Sequence, residues 1–340
     1  MNKYFKIIPL LLACWLCLPL HAQSFQWART AGSSTTWTNS RQSEPSKIFR
    51  DSKDNIYYCL SFAGTNRVTI EGREVYKPRC SASECCAVVC YDCEGNMKWY
   101  RTIFCKDSIG SSAVYFRQVA MVEDTLVMSF NGAFCTLYLC DSTHVLDTMP
   151  VGEKTYALWM RTDNGRAIRT AYLGEPMSMV YSDNKLHLVG LPCMDDTLPN
   201  QNPDSCYVYL STPQGERFRH FALDFRYNKF PSVYFESAVY HNKYYFLYNN
   251  NWVSDSLWFG DQLHVDNSSG GNTNSVLACF DSTGQCLWSR LLNAFTENLY
   301  GGASHIAIDE STGLIYITAS GAGYDPAYPD WDYNTFDGDT

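Results

Sequence analysis

Apolar and polar residues alternate along this chain in short runs, and the runs are separated by clusters of Asp, Asn, Ser and Gly. In the first clear example SKIFRD (46–51) is apolar on alternate positions, SKDN turns, and IYYCLSF (56–62) follows, rich in β-branched and aromatic residues. After a longer excursion come CAVVCYD (86–92), the turn CEGN, and MKWYRTI (97–103). Period-two runs bounded this way read as strands joined by tight turns, because Gly supplies positive φ and Asp bonds its own backbone. Helical periodicity is nearly absent.

The pattern repeats. The turn in YDCEGNMKW around Gly95 returns in RTDNGRAIR around Gly165, STPQGERFR around Gly215 and FDSTGQCLW around Gly284. A second anchor interleaves with it at Asp54, Asp124, Asn184, Asn242 and Gly313, each followed by an apolar strand such as DNIYYCLSF or NKYYFLY. Two anchors advancing together every 50 to 70 residues mark a repeat architecture. The expected fold is all-β: a β-propeller of four-stranded antiparallel blades. The units span about 46–103, 114–173, 177–223 and 232–292, with a partial fifth from 303 to 340. FQWARTAG (25–32) resembles a fourth strand without its first three, so it is expected to complete the fifth blade and close the ring. The final DGDT stands where the fourth unit has GGNT before its third strand, so the sequence reads as cut short just before that strand.

The order of aliphatic strand, Asp-x-x-Asp-Asn-Ile-Tyr, excursion, strand ending in Tyr-Asp, x-x-Gly and Trp resembles the secreted β-propeller repeats called SBBP repeats, frequent in exported proteins of Bacteroidetes. The resemblance covers residues 25–340, with degenerate copies; the second and third units carry Ile168 and Phe218 in place of Trp99 and Trp288. It implies an exported binding or display module.

Composition agrees with export. Residues 1–22 carry Lys3 and Lys6, an apolar run from Ile7 to Leu20 and a small Ala22, the pattern of a signal peptide. That run is shorter than the ~18 to 20 residues that cross a bilayer, and no other run approaches this length, so no transmembrane segment is expected. LLAC ending at Cys14 also fits a lipidated cysteine, although apolar WLCLPL follows where a polar tether is expected. The remaining segment, 23–340, is the propeller domain. Without the leader's two lysines the chain has 24 basic and 35 acidic residues, which excludes the basic stripe that nucleic acid requires.

Thirteen of the 15 cysteines lie beyond the leader. The dense group Cys80, Cys85, Cys86, Cys90, Cys93 and Cys105 admits disulfides, buried thiols or a zinc site built on Cys90-x-x-Cys93. Counting back from each turn glycine aligns Cys86 with Tyr156, Cys206 and Ser275, and Cys90 with Met160, Leu210 and Cys279. Cys90 and Cys279 therefore read as small buried hydrophobes. Cys80, Cys85, Cys93 and Cys105 remain the disulfide candidates.

Catalytic signatures are sparse. The chain has no HExxH, GxSxG, phosphate-binding glycine loop or dinucleotide fingerprint. Asp195 and Asp196 form a carboxylate pair in a Pro- and Asn-rich loop, and YYFLYNNNW (244–252) reads as a strand burying alternate rings. Asp330, Asp332 and Asn334 have the first spacings of a calcium loop, but Thr335 replaces its glycine. No other cofactor is implied. Asp-Ser or Asp-Thr followed by an apolar residue or Thr recurs at Ser108, Thr125, Ser142, Thr148, Thr197, Ser256 and Ser282, resembling the O-glycosylation signal of Bacteroidetes. Asp-Ser and Asp-Thr also start turns. Two functions fit: a non-catalytic exported module that binds protein or glycan, or a propeller enzyme acting on polysaccharide through loop carboxylates.

Overall fold

The computed structural model describes residues 31–34, 44–62, 67–74, 85–107, 115–131, 135–150, 156–173, 176–190, 205–227, 234–250, 256–265, 274–292, 303–309 and 311–319. The leader expected at 1–22, with Cys14, lies outside them. The described chain is all-β, and every strand pairing in it is antiparallel. No helix among the described residues is long and apolar enough to cross a membrane.

After β1 (Ala31–Ser34), unit one runs through β2 (Glu44–Arg50), β3 (Ile56–Phe62), the short β4 (Arg67–Ile70) and β5 (Arg73–Glu74), then β6 (Cys85–Tyr91) and β7 (Met97–Asp107). Unit two has β8 (Tyr115–Val122), β9 (Thr125–Asn131), the hairpin β10 (Cys135–Cys140) and β11 (Val145–Pro150), then β12 (Tyr156–Arg161) and β13 (Ala167–Tyr172). Unit three is β14 (Pro176–Ser182), β15 (Lys185–Gly190), β16 (Ser205–Ser211) and β17 (Arg217–Tyr227). Unit four has β18 (Tyr234–Tyr240), β19 (Lys243–Asn250), the hairpin β20 (Ser256–Phe259) and β21 (Gln262–Val265), then β22 (Asn274–Phe280) and β23 (Cys286–Leu292). The fifth unit contributes β24 (Ala303–Ile308) and β25 (Ile315–Ala319).

Each of the first four units is thus a meander of four neighbouring strands, as the turn chemistry predicts. The excursions do something the sequence pattern does not show. The β10–β11 hairpin leaves unit two and pairs with β7 of unit one; β20–β21 leaves unit four and pairs with β17 of unit three. Units one and three thereby become six-stranded sheets, while units two and four keep four strands. A bare edge strand offers unpaired backbone groups to other chains, so the hairpins cover the long edges of β7 and β17.

Successive units pack face to face. Tyr57, Val88 and Cys90 of unit one meet Leu126, Met128 and Leu158 of unit two. Trp159 of unit two meets Leu188 and Tyr209 of unit three, and Val208 and Leu210 of unit three meet Phe246 and Tyr248 of unit four. The run YYFLY buries Tyr244, Phe246 and Tyr248 on one face, as its alternation predicts. Unit one's other face is covered from within: Ile70 of β4 is fully buried among Leu60, Ala87, Val89 and Tyr91. β4 pairs in turn with β1. This corrects the closure expected of FQWARTAG, since its described residues, Ala31 and Gly32, pair with Ile70 and Thr69 of unit one. Trp27 lies outside the described residues.

The repeated turns join each unit to the one before it. Gly95, Gly165, Gly215 and Gly284 all adopt positive φ between 66° and 92°. In units one, three and four the turn closes from Asp92 to Asn96, Thr212 to Glu216 and Asp281 to Gln285; in unit two it closes from Arg161 to Arg166, one residue longer. That extra residue shifts the alignment. The residues paired across strands three and four are Cys90 with Trp99, Trp159 with Arg169, Leu210 with Arg219 and Cys279 with Trp288. Trp159, not Met160, therefore stands at the Cys90 position; on the fourth strand, which the extra residue does not shift, Arg169 and Arg219 stand four residues beyond their turn glycines as Trp99 and Trp288 do, so they and not Ile168 and Phe218 hold the Trp99 position. Ile168 and Phe218 lie one residue earlier, 52% and 56% exposed.

The shift explains why unit two needs no tryptophan on its fourth strand. Trp99 donates its indole N–H to the carbonyl of Thr162 in the next unit's turn (3.2 Å), and Trp159, on the partner strand, does the same to Pro213 (3.0 Å). Arg169 lies over the Trp159 ring at 4.0 Å. The turn glycines let the next unit approach this closely: a Cβ on Gly165 would stand 2.9 Å from the Trp99 ring.

Candidate functional site

The first strands of the units, β2, β8, β14, β18 and β24, lie beside one another in chain order. On them one register position recurs. Lys47, Gln118, Ser178, Glu236 and His305 face Cys59, Ser129, Val189, Leu247 and Thr318, each five residues beyond its hairpin anchor. All five are polar, although their neighbours on these strands are largely apolar. In four of the units a β-bulge falls immediately before this residue: between Pro45 and Lys47, Phe116 and Gln118, Pro176 and Ser178, and Ala303 and His305. A bulge re-aims the side chain that follows it, and such bulges collect beside functional sites.

Four of the five side chains meet, and the fifth, Ser178, bonds the neighbour of one of them. Lys47 Nζ lies 3.4 Å from Gln118 Oε1 and 3.4 Å from Glu236 Oε1, so unit one touches unit four directly. His305 Nδ1 lies 3.6 Å from the same Glu236 oxygen. Gln118 donates to the Met177 carbonyl (2.6 Å), and Ser178 shares a hydrogen bond with Ser237, the neighbour of Glu236 (2.7 Å). The Glu236 side chain is 4% exposed, Lys47 17% and His305 44%, so the cluster opens to solvent at His305. Glu236 Oε1 is buried and has no hydrogen-bond donor within bonding geometry. Burying a carboxylate oxygen is costly unless a donor or charge answers it; here the Lys47 ammonium at 3.4 Å answers it.

The sequence-derived candidates lie elsewhere. Cys85 is buried at the start of β6 and Cys93 is exposed in the turn beyond its end. The strand between them spans roughly 20 Å at ~3.3 Å per residue, well beyond the ~7 Å limit of a disulfide, so these two cannot bridge each other. Cys105 sits on β7 opposite Leu137, with its side chain outside the described set, and Cys80 lies outside the described residues. Cys59, Cys90, Cys206, Cys279 and Cys286 are free thiols. Burial raises each of them, Cys90 to about 11 and Cys206 to about 12, so they behave as apolar packing. The Cys90-x-x-Cys93 spacing makes no shared site, because Cys90 packs between units while Cys93 faces solvent.

Among the described residues no group of three or more His, Cys, Asp or Glu is placed to hold a metal ion. Asp330, Asp332 and Asn334, and also Asp195 and Asp196, lie outside the described residues. Of the glycosylation candidates, Ser142, Thr148 and Ser282 are exposed and Thr125 is half-buried at the start of β9; Ser256 begins β20, and Ser108 and Thr197 lie outside the described residues. The Asp before Ser282 is engaged as a turn former: Asp281 Oδ1 accepts from the backbone of Thr283 and Gln285, which holds its carboxyl below the usual range together with the Thr283 hydroxyl. The first-strand cluster itself matches no motif. Its signal was a polar residue at one position in every first strand, visible only once the strands are aligned by register.

No family model matches the chain, and no curated protein does. Among solved structures it is similar to the polysaccharide lyase Uly1, at 7% identity and a TM-score of 0.29 over 69% of this chain and 57% of that one. It is also similar to the rhamnogalacturonan lyase YesW, at 11% identity and a TM-score of 0.32 over 86% of this chain and 58% of that one. The chain spans less than two thirds of either structure's length. No residue here takes a role from them.

Proposed function

We propose that this chain is an exported, non-catalytic β-propeller module that binds a glycan or protein partner at the axial end of its first strands. The observation that carries the reading is the meeting of Lys47, Gln118, Glu236 and His305, which with Ser178 hold one register position in five consecutive units. Four-stranded meanders whose first strands lie in a row are the arrangement that blades take around an axis, and the contact from unit one to unit four supports a curved row. Propellers carry ligands on such inner ends, where several strands each contribute one side chain, but the fold alone does not choose between binding and catalysis.

Purified chain, incubated with a polysaccharide panel and then applied to glycan and protein arrays, tests the reading. Binding without turnover is expected. Turnover that disappears on replacing one Asp or Glu would instead establish the polysaccharide-active enzyme. Binding unchanged by the double replacement Lys47→Met and His305→Ala would move the site away from the axis.

A further inference from the structure

One of the four equivalent turns carries a covalent chemistry that the other three lack. The residue before the turn glycine is Glu94, Asn164, Gln214 and Thr283 in units one to four. We infer that Asn164–Gly165 is a site of self-modification, where the asparagine deamidates and isomerises through a succinimide, and that the contact between units one and two holds this reaction off. Asparagine followed by glycine is the pair best suited to it, because no side chain shields the glycine nitrogen and the ring that forms has five members. Gln214 would have to close a six-membered ring, and Glu94 and Thr283 have no side-chain amide to lose. Gly132, of the chain's other Asn-Gly pair, lies outside the described residues.

In the reaction the Gly165 backbone nitrogen gives its proton to water or hydroxide and attacks Cγ of Asn164. The new C–N bond closes the ring as the Cγ–Nδ2 bond breaks, and the amide leaves with the returned proton as ammonia. Water then opens the ring at one of two carbonyls: at Cγ it gives aspartate, and at the backbone carbonyl it gives isoaspartate, with the main chain rerouted through the side chain. The folded turn opposes the first step. The Gly165 N–H donates to the Arg161 carbonyl at 2.9 Å, and the carbonyl at the other end of the same peptide plane, that of Asn164, accepts from Arg101 Nη2 of unit one. Arg101 Nε also donates to the Gly165 carbonyl at 3.2 Å. The nitrogen cannot swing to Cγ without rotating this plane, so both clamps must let go, and one of them belongs to the neighbouring unit. Asn164 is exposed to the water that the reaction needs, while Gly165 is buried. The reactive state is therefore the locally opened junction. The two products then differ in consequence. Aspartate keeps the backbone path and an oxygen for the Arg166 N–H, which Asn164 Oδ1 now accepts at 2.9 Å. Isoaspartate adds a methylene to the main chain just before Gly165, where even a Cβ would stand 2.8 Å from Arg101 Cγ and 2.9 Å from the Trp99 ring, so the two units no longer fit.

The test ages the full chain in warm, mildly alkaline buffer, folded and unfolded in urea, and follows position 164 by peptide mass spectrometry and by an isoaspartate-specific methyl-transfer assay. Isoaspartate should accumulate quickly in the unfolded chain and slowly in the folded one. Arg101→Met, which releases the clamp from unit one, should speed the folded reaction about tenfold with the circular dichroism spectrum unchanged, and Gln214 should stay intact throughout. Asn164→Asp should melt like wild type, whereas aged chain carrying isoaspartate at this position should melt earlier. Should Arg101→Met fail to fold, Trp99→Phe and the folded-against-unfolded comparison on the wild-type chain decide the matter. No modification at position 164 in the unfolded chain, equal rates in the two states, or an Arg101→Met variant no faster than wild type overturns the inference; an isoaspartate form that melts like fresh chain overturns the stated consequence. Neither result bears on the binding reading, which rests on other residues.

Discussion

The outer and inner ends of the repeat obey opposite rules. At the outer end units one and two keep a chemistry and let the residue's place vary: an indole from strand four in unit one, or strand three in unit two, donates to the turn of the next unit, whereas unit three, with Leu210 and Arg219 at these positions, bonds the next turn through its backbone, from Asp224 N–H to the Gly284 carbonyl. At the inner end the units conserve the place and let the chemistry vary, with Lys, Gln, Ser, Glu and His at one register position. A contact that must recur for the units to stack keeps its hydrogen bond. A position that each unit contributes once to a shared centre is free to differ, and in a symmetric fold such difference is what builds a specific site.

The largest effect is expected where the outer rule is strictest. A Cβ on Gly284 would stand 2.0 Å from the Ala222 carbonyl oxygen, and its φ is 92°. Gly284→Ala should therefore cost about 3 kcal/mol or more, read as a drop in Tm of several degrees. Gly72, with φ 74° but nothing within 4 Å of a Cβ, sharpens the comparison: Gly72→Ala should cost only about 1 to 2 kcal/mol, the backbone penalty alone. Next comes Trp159→Phe, which removes the indole bond to Pro213 and weakens the stacking with Arg169. A loss of about 1 to 2 kcal/mol by urea unfolding is expected, with Trp99→Phe close to it. Equal stability of both variants with wild type would break the outer rule.

A smaller, pH-dependent effect is expected at His187. Burial against Tyr244 lowers its pKa below 6.5, so the folded protein resists protonation while the unfolded chain does not. Stability from this group is therefore full above about pH 6.5 and declines as pH falls through 6.5 towards the folded value; His187→Gln should flatten that part of a Tm-against-pH curve. The smallest effects should come from Ile168→Thr and Phe218→Thr, each within about 0.5 kcal/mol of wild type, because both side chains are largely exposed. A large loss at either would restore them to the tryptophan's role.

These expectations also show where sequence reading reached and where it failed. Strands and hairpins were legible because each turn announces itself locally: Asp51 accepts from the backbone of Lys53 and Asn55, and Asp92 from that of Asn96. The displaced Trp159 was not legible, because counting from Gly165 assumes turns of equal length and unit two adds one residue. Nor was the pairing of β10 with β7, a contact between units that no local pattern encodes. The first-strand cluster escaped for a different reason. Its members share a register and no identity, so a search for motifs passes over all five.

The borrowed hairpins carry a consequence for how such a chain is made. While the polypeptide is still emerging, unit one cannot be finished when its own four strands are out, because the 11-residue edge of β7 stays bare until residues 135–150 follow. The smallest piece able to stand alone is then a couple, one and two, or three and four, rather than a single blade. Shortened chains ending at residue 107 should clump, whereas chains ending at residue 173 should remain dispersed. A chain assembled in couples passes through two vulnerable moments during folding, where independent units would pass through one each.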